Sequence, residues 1–302
     1  MKNEKLFYQF YKAIERCTAL GADKHSYKKT GCKKVKIFSY EDRRNIIKVT
    51  TLFCDYIEEF YPNIKYIRNI NKEHVQEFFI EKSNYCTKNT LKNYNYCIRK
   101  LEKMVKQELK IYIDYTSNVT IPNGKYINTR EIDMTDEDIK VLLEECNKSN
   151  SKAVIGIKLA INFGLRVSEV CKMKGRDIRL DKEIIHVHES KGKRSRDIKI
   201  ESAAQKELCE YIKAKVLDDE RVCKVREDTV NVTIQRMLIK NKIDRYKESK
   251  TAVHAIRKTY AKNDFHQNLE KHNDEIKAWN ETSAKLGHNS GRKALKNVYV
   301  KE

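Results

Sequence analysis

No stretch of this 302-residue chain approaches the ~18 consecutive apolar residues of a membrane-spanning helix, and no apolar N-terminal segment with a cleavage site marks a signal peptide. The chain is therefore expected to be cytoplasmic, with no membrane partner. Its nine cysteines are scattered between positions 17 and 223 without a Cys-x-x-Cys spacing, and their number is odd, which argues against a disulfide framework or a zinc site. No cluster of Asp and Glu has the spacing of a two-metal centre, which disfavours a metal-dependent nuclease. No metal and no cofactor is expected. Only two prolines occur, Pro62 and Pro122, so each reads as punctuation.

What the chain has is positive charge. Lys and Arg number 63 against 43 Asp and Glu, a net +20, and the excess is shared: +11 over residues 1–125 and +9 over the rest. A field of this sign attracts polyanions, and both halves could touch the same one. Residues 7–17 put Phe7, Phe10, Tyr11 and Ile14 at helical spacing, for packing on the body or contact with DNA. Lys28, Lys29, Lys33 and Lys34 then surround Gly31; such a run is most often a solvated loop, and in a chain of this charge it reads equally as a phosphate contact.

Ser39 with Asp42 three residues on marks a helix start, and Ile46, Val49, Phe53, Tyr56, Ile57 and Phe60 recur on one face before Pro62. Asn71 caps a second helix with Val75, Phe78 and Phe79 inward. Thr87 or Asn89 starts a third, whose stripe runs Leu91, Tyr94, Ile98, Leu101, Met104 and Val105, with Lys92, Arg99 and Lys103 on the remaining surface. Helical period is lost after Lys110, and a linker is read across 112–130. The expected organisation is an N-terminal helix and basic segment (1–37), a basic helical domain (38–111), the linker, and a second domain (131–302). Thr135 caps the first helix of that domain. A mostly apolar helix over 152–163 should be central to its core, with Gly164 at the left-handed C-terminus and Ser168 capping the next helix. Between them Arg166 is held in a turn, where it either faces a ligand or bonds the carbonyls of the preceding helix. Strands are expected at 183–189 and 196–200 around a turn carrying Lys191 and Lys193, with helices at 202–217, 229–241, 253–264, 274–286 and 291–299. His186 and His188 share a strand face but lack a third ligand. The fold class is mainly α with a small antiparallel β-sheet.

The chemistry-bearing residues come late. His254 and Arg257 lie three apart and share a helix face. His288 follows a Leu-Gly turn, and Tyr299 is the only tyrosine after it. Arg grips phosphate oxygens, His moves protons near neutral pH, and Tyr can be a covalent nucleophile. Singly each is unremarkable: a His-x-x-Arg pair is more often a surface ion-pairing site, and a late Tyr is usually packing.

Taken in order, GLRVSEV (164–170), ESKGKRSRDIKI (189–200), HAIRKTYA (254–261) and LGHNSG (286–291) followed by Tyr299 resemble the tyrosine recombinases, which include phage integrases, Xer-type resolvases and conjugative-transposon integrases. The helical first half resembles their core-binding domain by architecture alone. The resemblance implies a site-specific recombinase that cleaves and rejoins DNA through a 3′-phosphotyrosyl bond without metal or ATP. Tyr299 would be the nucleophile, Arg166 and Arg257 the phosphate clamp, Lys191 (or Lys193) the acid, and His254 and His288 the proton-handling groups. Its implied partners are double-stranded DNA with specific attachment sites, further copies in a homo-tetramer, and accessory DNA-bending proteins. Two rivals share the fold: a type IB topoisomerase-like enzyme, and a DNA-binding regulator without catalysis. The 34 residues from His254 to His288 are long for the family, and the polar run 264–279 leaves room for an insertion loop. With three residues after Tyr299, subunits are expected to link through the N-terminal helix or the first domain.

Overall fold

A computed structural model describes residues 5–125, 132–190, 194–246, 252–288 and 293–300, with the side chains of 25, 189, 190, 194, 293 and 294 left aside. The chain divides into two compact units, Met1–Asn128 and Thr129–Glu302.

The first unit is helical: α1 (Leu6–Cys17), α2 (Lys24–Lys29), α3 (Tyr40–Phe60), α4 (Lys72–Ser83) and α5 (Lys88–Leu109). Side-chain oxygens start the long helices by taking orphan backbone N–H groups. Ser39 accepts from Asp42, and Thr87 accepts from Thr90. Asn71 and His74 cap each other's backbone in a reciprocal box. The stripes of α3, α4 and α5 are buried as their spacing requires, except Phe60, which is exposed at the last turn of α3. Leu6, Phe10, Ala13, Ile14 and Cys17 of α1 lie in the same core as α3 and α5, so this helix packs on the body. The non-helical run after Lys110 is also held by this unit. Tyr115 is fully buried with its hydroxyl donating to the Ile67 carbonyl at 2.7 Å. Gln76 bonds both backbone groups of Thr120, and the Lys125 N–H reaches the Ser83 carbonyl. Of the stretch read as a linker, residues 112–125 are thus part of the first unit. Lost periodicity marked irregular backbone, not a free tether.

The second unit comprises α6 (Asp136–Lys148), α7 (Val154–Phe163), α8 (Val167–Lys172), β1 (Ile178–Arg179), β2 (Ile184–Ser190), β3 (Arg194–Lys199), α9 (Ala203–Lys215), α10 (Glu227–Lys240), α11 (Ala252–His272), α12 (Glu275–Lys285) and α13 (Lys293–Tyr299). The strands form one antiparallel sheet in the order β1-β2-β3, with Ile185 opposite Ile198 and Val187 opposite Arg196. Helix α7 is the central element, with Ile157, Leu159, Ala160 and Phe163 fully buried. The short β1 carried no sequence signal.

Two expectations are corrected. Ser168 does not cap α8: the helix begins at Val167, and the N–H of Arg166 is taken by the Glu169 carboxylate at 2.9 Å. The polar run after residue 264 is no insertion loop, because α11 continues to His272 and α12 follows at once. Most of its polar residues are exposed on these helices, and a few are internal. Asp264 accepts from Asn268, Thr282 and Lys285 in the buried seam between α11 and α12, and Thr282 is fully buried.

Gly164 ends α7 at φ +59°, and a Cβ there would lie 2.2 Å from the Tyr260 ring. Both the left-handed backbone and the close approach require glycine. Gly164→Ala should therefore lower unfolding stability by about 2–4 kcal/mol in urea melts, from positive φ plus overpacking.

Candidate functional site

Asn231 on α10 accepts the N–H of Val253 in the first turn of α11 at 3.1 Å, supplying a partner to one of the donors a helix start leaves open. The spacing of His254 and Arg257 then turns both to one pocket of about 250 Å³, lined also by Arg166, Ser168 and Asn231.

Arg257 is 1% exposed. Its Nη1 and Nη2 donate to the carbonyls of Gly164 and Leu286, where α7 and α12 end. The carbonyl-binding role that the sequence offered to Arg166 therefore falls to Arg257. Its Nε is buried without an acceptor among the described residues. Burial, then the neighbouring Arg166 cation, pull its pKa down to about 10, against the attraction of Tyr299 and Glu169, so it remains cationic at neutral pH.

Glu169 is the counter-charge. Its side chain is 3% exposed and faces three guanidinium groups. Arg166 donates at 2.7 Å, Arg196 donates through both Nη atoms at 3.0 Å, and Arg257 stands 3.9 Å away. Burial pushes its pKa up, but the hydrogen bonds and charge of Arg196, the Arg166 N–H and the Arg257 charge outweigh this and hold it at about 2. Three arginines around one carboxylate leave a cationic pocket.

The second histidine and the tyrosine meet beside it. The Leu286-Gly287 turn closes α12, the His288 N–H returns to the Ser283 carbonyl, and His288 Nε2 lies 3.3 Å from the Tyr299 hydroxyl. The His254 ring is 6.1 Å from that of Tyr299. Tyr299 is 8% exposed and leans on Trp279 at 6.4 Å, within an apolar cluster that also holds Phe265, Ala278 and Leu286. Lys296 pairs with Glu275 and covers the Phe265 ring, so α13 rests on its own chain's α11 and α12. The structure thus brings Arg166, His254, Arg257, His288 and Tyr299 together; Lys191 and Lys193 lie outside the described residues. His186 and His188 pair with Asp197 and Asp177. Among the described residues no group of three or more potential ligands could hold a metal ion.

Of the basic residues singled out in the first unit, Lys28, Lys33, Lys34, Lys92, Arg99 and Lys103 line one concave surface of about 780 Å³, interleaved with Tyr27, Phe38 and Tyr96. Lys29 is exposed but off that lining. Sequence reasoning missed Glu169, Arg196, Asn231 and Trp279. Arg196 left a signal: strand alternation puts it on the same inward face as Ile198.

Residues 133–272 match the model of the phage integrase family. The tyrosine recombinase XerA of Pyrococcus furiosus is 30% identical over 132 residues, 42% of this chain and 46% of that protein. XerA of Pyrococcus horikoshii is 26% identical over 129 residues, 41% and 44%. The matches thus span less than half the length of these relatives. Three solved structures share the fold at low identity. The XerH site-specific recombinase bound to its difH substrate gives a TM-score of 0.67 at 14% identity, covering 98% of this chain and 92% of that one. A lambda integrase tetramer on a Holliday junction gives 0.60 at 15%, covering 91% and 75%. The Tn1549 transposon integrase with transposon right-end DNA gives 0.58 at 14%, covering 99% and 96%.

The depressed pKa of Glu169 sets a pH window. A carboxylate held at about 2 in the fold and near 4.5 when unfolded stabilises the fold above that upper value, and its contribution is lost as pH falls toward 2. Glu169→Gln should lower stability at pH 7 by about 3 kcal/mol, and the gap to the wild type should close between those pH values. Urea melts at a series of pH values measure it; a gap independent of pH would show that the carboxylate charge is not what holds the arginines.

Proposed function

We propose that this chain, whose residues 133–272 form a phage integrase family domain, is a site-specific DNA recombinase that breaks and rejoins double-stranded DNA through a phosphotyrosyl bond. The observation that carries this reading is the Tyr299 hydroxyl, 3.3 Å from His288 Nε2 and beside a buried Arg257 whose Nε lacks an acceptor among the described residues. A buried donor without a partner is costly, and a phosphate oxygen would supply one.

In the proposed reaction Tyr299 Oη attacks the scissile phosphorus, the P–O5′ bond breaks, and a proton reaches the leaving oxygen from Lys191 or Lys193. Arg166 and Arg257 hold the non-bridging oxygens as charge builds, a preorganised stabilisation of roughly 3 kcal/mol per donor. His254 and His288 take and return the tyrosine proton. Attack by a free 5′-hydroxyl reverses the sequence and joins new strands, with the bond energy kept in the phosphotyrosine. The basic concave surface of the first unit is proposed to grip the DNA backbone through Lys28, Lys33, Lys34, Lys92, Arg99 and Lys103, with Lys29 and Lys193 as further phosphate contacts. The DNA complexes of the fold-sharing recombinases, one of them a tetramer, support duplex DNA as the partner and a homo-tetramer as the working assembly.

On a nicked substrate the wild type should form an adduct that survives detergent, and Tyr299→Phe should form none. An adduct that persists in that variant, or maps by proteolysis to Tyr260, would sink the assignment. The grip of the first unit has its own measurement. Combining Lys92→Gln, Arg99→Gln and Lys103→Gln should flatten the slope of log affinity against log salt by about 0.9 for each phosphate that is no longer neutralised. An unchanged slope would return that surface to a solubility role.

A further inference from the structure

We infer that Arg196 is a positioning residue for the phosphate clamp; the inference rests on the recombinase reading above. Strand alternation puts Arg196 on the inward face of β3, opposite Val187 and two residues before the buried Ile198. An apolar side chain would satisfy that position. Instead it holds a guanidinium whose side chain is 10% exposed, and each of its three nitrogens is engaged. Both Nη atoms fork onto the Glu169 carboxylate at 3.0 Å, and Nε donates to the Lys285 carbonyl at 2.7 Å.

These contacts join three segments that the reaction needs in register. Glu169 receives the Arg166 guanidinium and backbone N–H, so whatever fixes Glu169 fixes Arg166. The Lys285 carbonyl ends α12, from which Leu286 bonds Arg257 and His288 faces Tyr299. Gly287 completes the joint: a Cβ there would come within 2.8 Å of Arg196 Nη1, so the turn before His288 closes directly over the guanidinium.

Charge points the same way. Without Arg196, Glu169 would keep its full charge for Arg166 and Arg257 and draw both towards itself, away from an incoming anion. Arg196 occupies one side of the carboxylate through a bidentate pair, leaving the other two cations field to spare. It touches no reacting atom; it sets where the clamp stands.

The test uses Arg196→Lys in the full chain, which keeps the charge but cannot make the fork and the Nε bond together. Its expected melt is cooperative, its affinity and salt slope on duplex DNA match the wild type, and its adduct formation on the nicked substrate is about a hundredfold slower, the scale of a misplaced reacting group. Two substrate changes separate positioning from general damage. A neutral methylphosphonate at the scissile position needs less cation, so most of the deficit should disappear there. A bridging sulfur in place of the 5′-oxygen needs less acid and should recover nothing. If Arg196→Lys does not fold, Arg196→Gln, which leaves Glu169 its charge and offers it one amide donor in place of the fork, should give the same pattern. A variant that cleaves as fast as the wild type, is equally slow on both altered substrates, or is recovered by sulfur overturns the role. Absence of any Tyr299-dependent adduct with the wild type would instead overturn the recombinase reading, and with it the reason for a clamp.

Discussion

The second unit turns on one buried negative charge. Glu169 is ionised where water does not reach, which is tolerable only because cations and N–H groups surround it. The dependence is mutual, since Arg257 and Arg196 would otherwise be buried cations with only carbonyls for company. The three arginines come from the start of α8, from β3 and from the first turns of α11, so folding the carboxylate into place draws these elements to one point. The surplus of positive charge that results is what a phosphate-handling pocket needs.

A different kind of force holds the tyrosine. Helix α13 is short, too short to be stable alone, and its order comes from packing. Trp279, Phe265, Ala278 and Leu286 form the apolar seat, and the Lys296–Glu275 pair fixes the helix along it. That seat is itself built on the hydrogen-bonded seam between α11 and α12, where Asp264 binds Thr282, Asn268 and Lys285. A buried polar network accepts one arrangement of its donors and acceptors, whereas an apolar seam can slide by a turn. These few buried polar groups therefore serve to fix the distance between Arg257 and His288, which are far apart in sequence.

How much of this was legible follows from what each signal measures. Caps and stripes are local, so Ser39, Asn71, Thr87, Thr135 and Gly164 could be read in place. The order of Arg166, His254, Arg257, His288 and Tyr299 was visible because residue type alone carries chemistry. Ser168 was misread because hydroxyl propensity points to a cap, but the carboxylate of Glu169, one residue on, reaches the Arg166 N–H and holds two arginines as well. The run 264–279 was misread because its polar residues mostly line the exposed faces of two helices, while Asp264 and Asn268 are satisfied by each other and by Thr282 in the seam between them. The stretch 112–125 lacked period yet is tied down by single contacts such as Tyr115 to Ile67, which no pattern reports. Nothing in their spacing joins Lys28, Lys33 and Lys34 to Lys92, Arg99 and Lys103; the fold of the first unit brings them to one surface.

Arg196 shows where such reading could go further. Alternation in RDIKI already placed it inward beside Ile198, and an inward arginine cannot stay without a carboxylate partner. Once that demand is recognised, the search has few answers, because the partner must also be inward and close to β3. Glu169 meets both conditions, one helical turn after the arginine that the motif made conspicuous. A buried charge predicted from period thus specifies its counter-charge, and through it a tertiary contact between a strand and a helix start that neither element's own propensity would reveal.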